Sequence, residues 1–250
     1  MTSPLDLQLY TVRDTQAQDF AGVVRHVAAI GYAGVEPYSF TGTTPEAAGQ
    51  LFRDLGLAVP SCHSTLPLGD KQDEVLATMA AIGCRRIVSG LGKEQFQTVD
   101  LVRQSCDRFN EAHQVAAEHG LAFAIHNHWW EFQTLNGRPV YEYMLEFLHP
   151  DIGFELDIYW IQTAGPDPAA IVRQFGRRAP LLHVKDGPAV QDAPMTAVGQ
   201  GTLDIPAIIA AGAGSTEWLI VELDHCATDM MAAVEASYHY LVSEGLGHGR

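Results

Sequence analysis

The chain has 250 residues, 47% of them hydrophobic, and a formal net charge of −15 from 15 Lys+Arg against 30 Asp+Glu. That length and apolar content suffice for one large core spanning residues 1–250, whereas the acidic balance opposes nucleic acid as a partner, because phosphate contacts rest on clustered Lys and Arg. Cys62, Cys84, Cys106 and Cys226 lack CxxC spacing, no apolar run approaches the ~20 residues of a membrane span, and no signal-like segment opens the chain, so a cytoplasmic protein without zinc ribbon, disulfide framework or membrane partner is expected.

Strand-like and helix-like patterns alternate along the whole length. Leu5–Tyr10 reads as a strand, and 19–30 as a helix with Phe20, Val23, Val24, Val27 and Ile30 at helical spacing and Gly31 as its stop. Ala33–Glu36 is a second strand, 44–55 a helix opened by Thr44-Pro45, and Leu57–His63 a third strand. A helix over 71–82, a strand at Arg85–Ser89, a long helix over 101–119 and a strand at Leu121–His126 come next. After an excursion at Asn136-Gly137 come a helix over 139–148, a strand at Ile152–Asp157, a helix over 169–175 and a strand at Leu181–His183. A helix over 205–211, a strand at 218–222 and a helix over 230–244 complete eight strand-helix units. Eight such units predict a single (β/α)8 TIM barrel of the α/β class; an open doubly wound sheet is the second choice, disfavoured because no GxGxxG follows the first strand.

In a barrel the strand ends share one face, which gathers Glu36, His63, His126, Asp157, His183 and Glu222 into one pocket. Asp157, His183 and Glu222 close three apolar strands, and carboxylates there need a cation or several hydrogen bonds. With one imidazole they outline a divalent metal site for Mn²⁺, Mg²⁺, Co²⁺ or Zn²⁺; the bland alternative for Asp157 is a salt bridge or a helix cap. Glu155, two residues before Asp157, shares its side of the strand. Lys185, one of only three lysines, lies two residues past His183 and is a candidate to polarise a substrate carbonyl, or else a structural partner of Asp186 or Glu155. Asp224 sits beside Glu222 as a substrate contact or a group that orients a ligand.

The run from His126 to Phe132 is the densest polar and aromatic cluster. His126 and His128 are expected on one face of the mouth, Trp130 in an apolar roof, and Glu131 in position to swing back as a ligand; the alternative is a loop core with backbone-bonded histidines. Glu36, His63, His128, Trp130 and Asp224 are expected to contact the hydroxyls of a polyol. Gly199-Gln200-Gly201-Thr202-Leu203-Asp204 is similar to a phosphate cradle but holds no lysine, so a turn leading to a helix capped by Asp204 is the reading here.

His183-Val184-Lys185-Asp186, Gly199 to Asp204, His126 to Phe132, Leu7 to Asp14 and Gly31 to Glu36 together resemble the sugar phosphate isomerase/epimerase superfamily of xylose isomerase-like TIM barrels, over nearly the full length. The ketose 3-epimerases of that superfamily hold a metal with Glu, Asp, His and Glu from strands five to eight, and their two glutamates exchange protons with substrate. Asp157, His183 and Glu222 match that motif, while the expected place of the fifth-strand glutamate holds Ala124. The resemblance is closer to a subgroup with His-Asn-His followed by Glu-Phe, which makes Glu131 the candidate fourth ligand and His126 or His128 the competing choices.

The resemblance implies a metal-dependent isomerase or epimerase, with Mn²⁺ the expected cofactor and a sugar or polyol the small-molecule partner, working through an enediolate. Glu222 or His126 removes the carbon-bound proton and Lys185 steadies the charged oxygen. A homodimer is in keeping with barrels of this class. Competing readings are a metal-dependent dehydratase or lyase on a keto-inositol or 3-keto-sugar, a non-catalytic sugar-binding subunit, and an endonuclease IV-like repair enzyme, which the charge of −15 disfavours.

Overall fold

Residues 2–250 are described by the computed structural model, in which eight parallel strands alternate with helices. The strands are β1 (Ser3–Gln8), β2 (Gly34–Glu36), β3 (Cys62–His63), β4 (Arg86–Ser89), β5 (Ala122–His126), β6 (Gly153–Asp157), β7 (Leu181–Val184) and β8 (Trp218–Val221). Pairing runs β2-β1-β8-β7-β6-β5-β4-β3, and a parallel bridge between Gly34 and Ala58 spans the seam between β2 and β3, so the barrel is nearly closed. The principal helices are α1 (Phe20–Ile30), α2 (Pro45–Asp54), α3 (Gln72–Ile82), α4 (Val99–Glu118), α5 (Val140–Phe147), α6 (Pro168–Phe175), α7 (Ile205–Ala211) and α8 (Met230–Ser243). None among the described residues is long and apolar enough to cross a membrane.

Local chemistry sets the helix boundaries. Thr44 Oγ1 accepts the Ala47 amide at 3.2 Å, with Pro45 in the first turn, so α2 starts where its sequence directs. Gly31 ends α1 with φ of 119°, and a side chain there would run into the Tyr238 hydroxyl. Strand β3 is shorter than its apolar run because Pro60 has no amide to donate. One short helix, Ile158–Ala164, follows β6 directly and was not expected from the sequence.

Alternation of side chains splits the buried residues into two sets. The larger core lies between strands and helices, while Val88, Ala124, Leu181 and Ile220 form a separate plug inside the barrel, flanked by Trp218. One step further along the same strand faces the apolar plug gives way to charge. Register fixes which groups meet there: His126 lies opposite Glu155, Asp157 opposite His183, and Gln8 opposite Glu36.

Candidate active site

Above the plug two polar layers are stacked. The upper one comprises His126, Asp157, His183 and Glu222, whose ligand atoms all lie within 4.8 Å of one another and all of which are buried. His183 Nδ1 is 2.7 Å from Glu222 Oε2, and His126 Nε2 is 4.0 Å from Asp157 Oδ2. Asp157 is also a helix cap: Oδ1 accepts the Tyr159 and Trp160 amides at 3.0 Å each. The cap leaves Oδ2, buried and without a hydrogen bond, facing the cluster. Capping and clustering, posed as alternatives by the sequence, coexist on the two oxygens of one carboxylate.

Lys185 is fully buried beside this layer. Its ammonium lies 2.9 Å from Asp157 Oδ2, 2.7 Å from Glu222 Oε2 and 2.9 Å from Asp224 Oδ2. Burial alone would discharge a lysine, but three carboxylates outweigh it and hold the ammonium charged well above its ordinary range. Burial raises the Glu222 carboxyl, yet Lys185 and His183 more than reverse that and keep it ionised. Asp157 is pushed up to about 6 by burial, against the pull of Lys185. His126 is pushed down to about 4 by burial in spite of Glu155, so its imidazole is neutral at pH 7 and free to bind an ion or accept a proton.

The lower layer holds His63, Glu36 and Glu155 under the same two imidazoles. Glu36 is fully buried, accepts hydrogen bonds from Gln8 Nε2 at 2.5 Å and from the Ser61 hydroxyl, and lies 2.9 Å from His183 Nε2. Its expected role in contacting substrate is therefore corrected: the register of β2 against β1 sets it one layer too deep, and it orients His183 instead. His63 Nε2 bridges to Glu155 at 2.5 Å and to Glu36 at 3.2 Å, with its side chain 23% exposed toward the cavity.

Glu131 does not join the cluster. The turn Trp130–Phe132 folds it back so that Oε2 accepts the His128 amide at 2.8 Å, and burial pushes its carboxyl up to about 8. Of the competing choices, His126 reaches the upper layer; His128 stacks on Trp130 at 4.0 Å between ring centroids, and both line the cavity wall. Lys185 pairs with neither Asp186 nor Glu155, because Asp186 is engaged elsewhere. Its carboxylate accepts the amides of Gly187, Gly199, Gly201 and Leu203 at 2.8–3.2 Å, filling the glycine-rich loop that resembles a phosphate cradle.

A cavity of about 860 Å³ opens over the upper layer, walled by Tyr10, Tyr38, Trp130 and Trp160, with Lys185 and Glu222 at its floor. Aromatic walls and a polar floor suit a polyhydroxylated ring. Sequence reasoning passed over Gln8, Ser61 and the central place of Glu155; the last was signalled by its two-residue spacing from Asp157.

The whole architecture is matched by a sugar phosphate isomerase/epimerase from Parabacteroides distasonis, 22% identical, with a TM-score of 0.83 over 96% of this chain and 98% of that one. An L-ribulose 3-epimerase, 16% identical, gives 0.73 over 98% and 94%, and the IolI protein with its bound zinc atom, 15% identical, gives 0.75 over 96% and 97%. No curated protein matched by sequence. At these identities the structural matches speak for the fold. A family profile of xylose isomerase-like TIM barrels matches residues 24–237, most of the length, and the chain belongs to that family.

Proposed function

We propose that this chain is a divalent-metal-dependent isomerase or epimerase acting on a sugar or keto-sugar, with the ion held by His126, Asp157, His183 and Glu222. The observation that carries this reading is the convergence of four ligand atoms from β5, β6, β7 and the end of β8 within 4.8 Å. Two imidazole nitrogens and two carboxylate oxygens suit Mn²⁺, Co²⁺ or Zn²⁺, and Asp157 Oδ2, whose sister oxygen is taken by the helix cap, is left to a cation, a place that the Lys185 ammonium takes at 2.9 Å. The epimerase and isomerase structures of the same fold, and the zinc in IolI, support it. Mn²⁺ is the expected ion.

When bound, the ion polarises a substrate carbonyl and stabilises negative charge developing beside it. Glu222, kept ionised by Lys185 and His183, is the base that removes the proton from the adjacent carbon, while His126 stays neutral as a ligand held by Glu155. Lys185 stays protonated and donates to a substrate oxygen, steadied by Asp224. Trp130, Trp160, Tyr10 and Tyr38 hold the sugar ring and limit water around it. Because Asp186 fills the glycine-rich loop, no phosphate seat is left there, which favours an unphosphorylated substrate.

Incubation of the Mn²⁺-loaded protein with ketopentoses and ketohexoses in D₂O tests the reading. Solvent deuterium should enter carbon-bound positions with the product otherwise equal in mass to the substrate, and Glu222→Gln should abolish the exchange. A product that has lost water would instead make the protein a dehydratase; exchange undiminished in E222Q would remove Glu222 from the chemistry.

A further inference from the structure

The lower layer has the composition of a second cation site. His63 Nε2, His183 Nε2, Glu36 Oε1 and Glu155 Oε2 form a compact set in which every imidazole-to-carboxylate separation falls between 2.5 and 3.2 Å. His126 Nδ1, 3.1 Å from Glu155 Oε2, ties this set to the upper layer. The His63 and His183 rings lie parallel, 5.3 Å apart at an interplanar angle of 5°, so both present Nε2 to the same pair of oxygens.

Charge distinguishes the two layers. Around Asp157 and Glu222 the chain supplies its own cation, Lys185. Around Glu36 and Glu155, both 0% exposed, the hydrogen-bond partners are imidazoles, a glutamine amide and a serine hydroxyl, the buried Asp6 carboxyl adds further acidic charge, and His63 and His183 are the cationic groups paired with them, with no lysine or arginine ion pair among the described residues. Two carboxylates taken out of water in that company carry a large solvation penalty. One ligand atom from each of His63, His126, Glu155 and His183 lies within 4.8 Å of the others, and the second Glu155 oxygen, Oε1, is buried without a hydrogen bond.

We propose that His63, Glu36, Glu155 and His183 form a second site for a zinc-class divalent cation beside the substrate-facing ion, with the two carboxylates buried and His63 at the cavity edge. Two imidazole nitrogens and two carboxylate oxygens are donors that zinc accepts, and four of them meet its preferred coordination number. The site reaches the upper layer through His183, whose Nε2 faces inward and Nδ1 outward. His183, which meets carboxylates at both ring nitrogens and so carries two ring protons, would link two filled sites as an imidazolate, and both protons would leave to solvent. The inner ion then fixes the ring that presents Nδ1 to the catalytic layer.

Apo-protein loaded with Co²⁺, desalted and analysed for metal by mass spectrometry tests this, with circular dichroism melting to confirm folding. The parent should retain two ions per chain, and Glu155→Gln and His63→Ala should each retain one. Glu222→Gln should also retain one, now the inner ion, with a Co²⁺ absorption spectrum of four-coordinate strength. A parent whose cobalt content is the same as that of E155Q and H63A would overturn the inner site. If E155Q and H63A lose an ion while E222Q loses none, the inner site stands and the proposed upper site fails; loss in E222Q alone is the reverse.

Discussion

Lys185 is the residue on which the electrostatics of the mouth turns. It is an ammonium with 1% side-chain exposure held by Asp157, Glu222 and Asp224, and it stands where a divalent ion would draw on the same two oxygens. Removing one partner of a buried ion pair costs about 3–5 kcal/mol because the remaining charges are left uncompensated. Lys185→Gln should therefore lower the melting temperature of metal-free protein sharply, and Mn²⁺ should restore more stability to K185Q than it adds to the parent. Equal Mn²⁺-induced shifts in the two proteins would show that ammonium and ion do not compete. His183 and Glu222 were legible as site residues because each closes an apolar strand, but the depth of Glu36 was not: that depends on register between β1 and β2, which a single sequence does not display.

Elements account for the residues that reasoning from the sequence misplaced. Glu131 was drawn toward the ligand set by its place after His-Asn-His, yet the three-residue turn Trp130–Phe132 closes the chain before the carboxyl can reach across, and it caps the His128 amide instead. Its folded pKa of about 8 lies above the ordinary 4.5, so the native state binds the extra proton. The stability this contributes is complete below about pH 4.5 and is lost as pH rises toward and past 8. Melting curves of Glu131→Gln and the parent should thus converge or cross in favour of E131Q between about pH 5 and 9, and a parent advantage independent of pH would contradict the assignment.

The loop from Gly199 to Leu203 is likewise decided by its surroundings. Its glycines are similar to a phosphate cradle, and the lack of a lysine favours the turn, but sequence does not say which anion occupies a nest of amides. Here the occupant is Asp186, and a side chain at Gly201 would collide with its carboxylate. Asp186→Ala orphans four amides, each costing about 1–3 kcal/mol if buried, so a loss of at least about 3 kcal/mol in chemical denaturation is expected. A loss below about 1 kcal/mol would mean the loop re-forms around water.

At the scale of the molecule, the alternation of strands and helices was readable, apart from Ile158–Ala164, because the strands are largely apolar runs and most helices open on a side-chain cap or end at a glycine. What the pattern did not reveal is the layering inside the barrel, where an apolar plug of Val88, Ala124, Leu181 and Ile220 carries a polar floor in two tiers. The plug excludes water from below and the helices exclude it from the sides, so the charges above interact in a medium far less screening than water. Closure of the barrel is what brings groups from β5 to β8 within a few ångströms despite nearly a hundred intervening residues, from His126 to Glu222.

The most direct test of that convergence is an anomalous-difference map from a crystal grown with Mn²⁺. A peak is expected within bonding reach of His126, Asp157, His183 and Glu222, with Lys185 drawn toward Asp224. A map with no peak among those four residues, from crystals grown at saturating Mn²⁺, would contradict a metal-centred site.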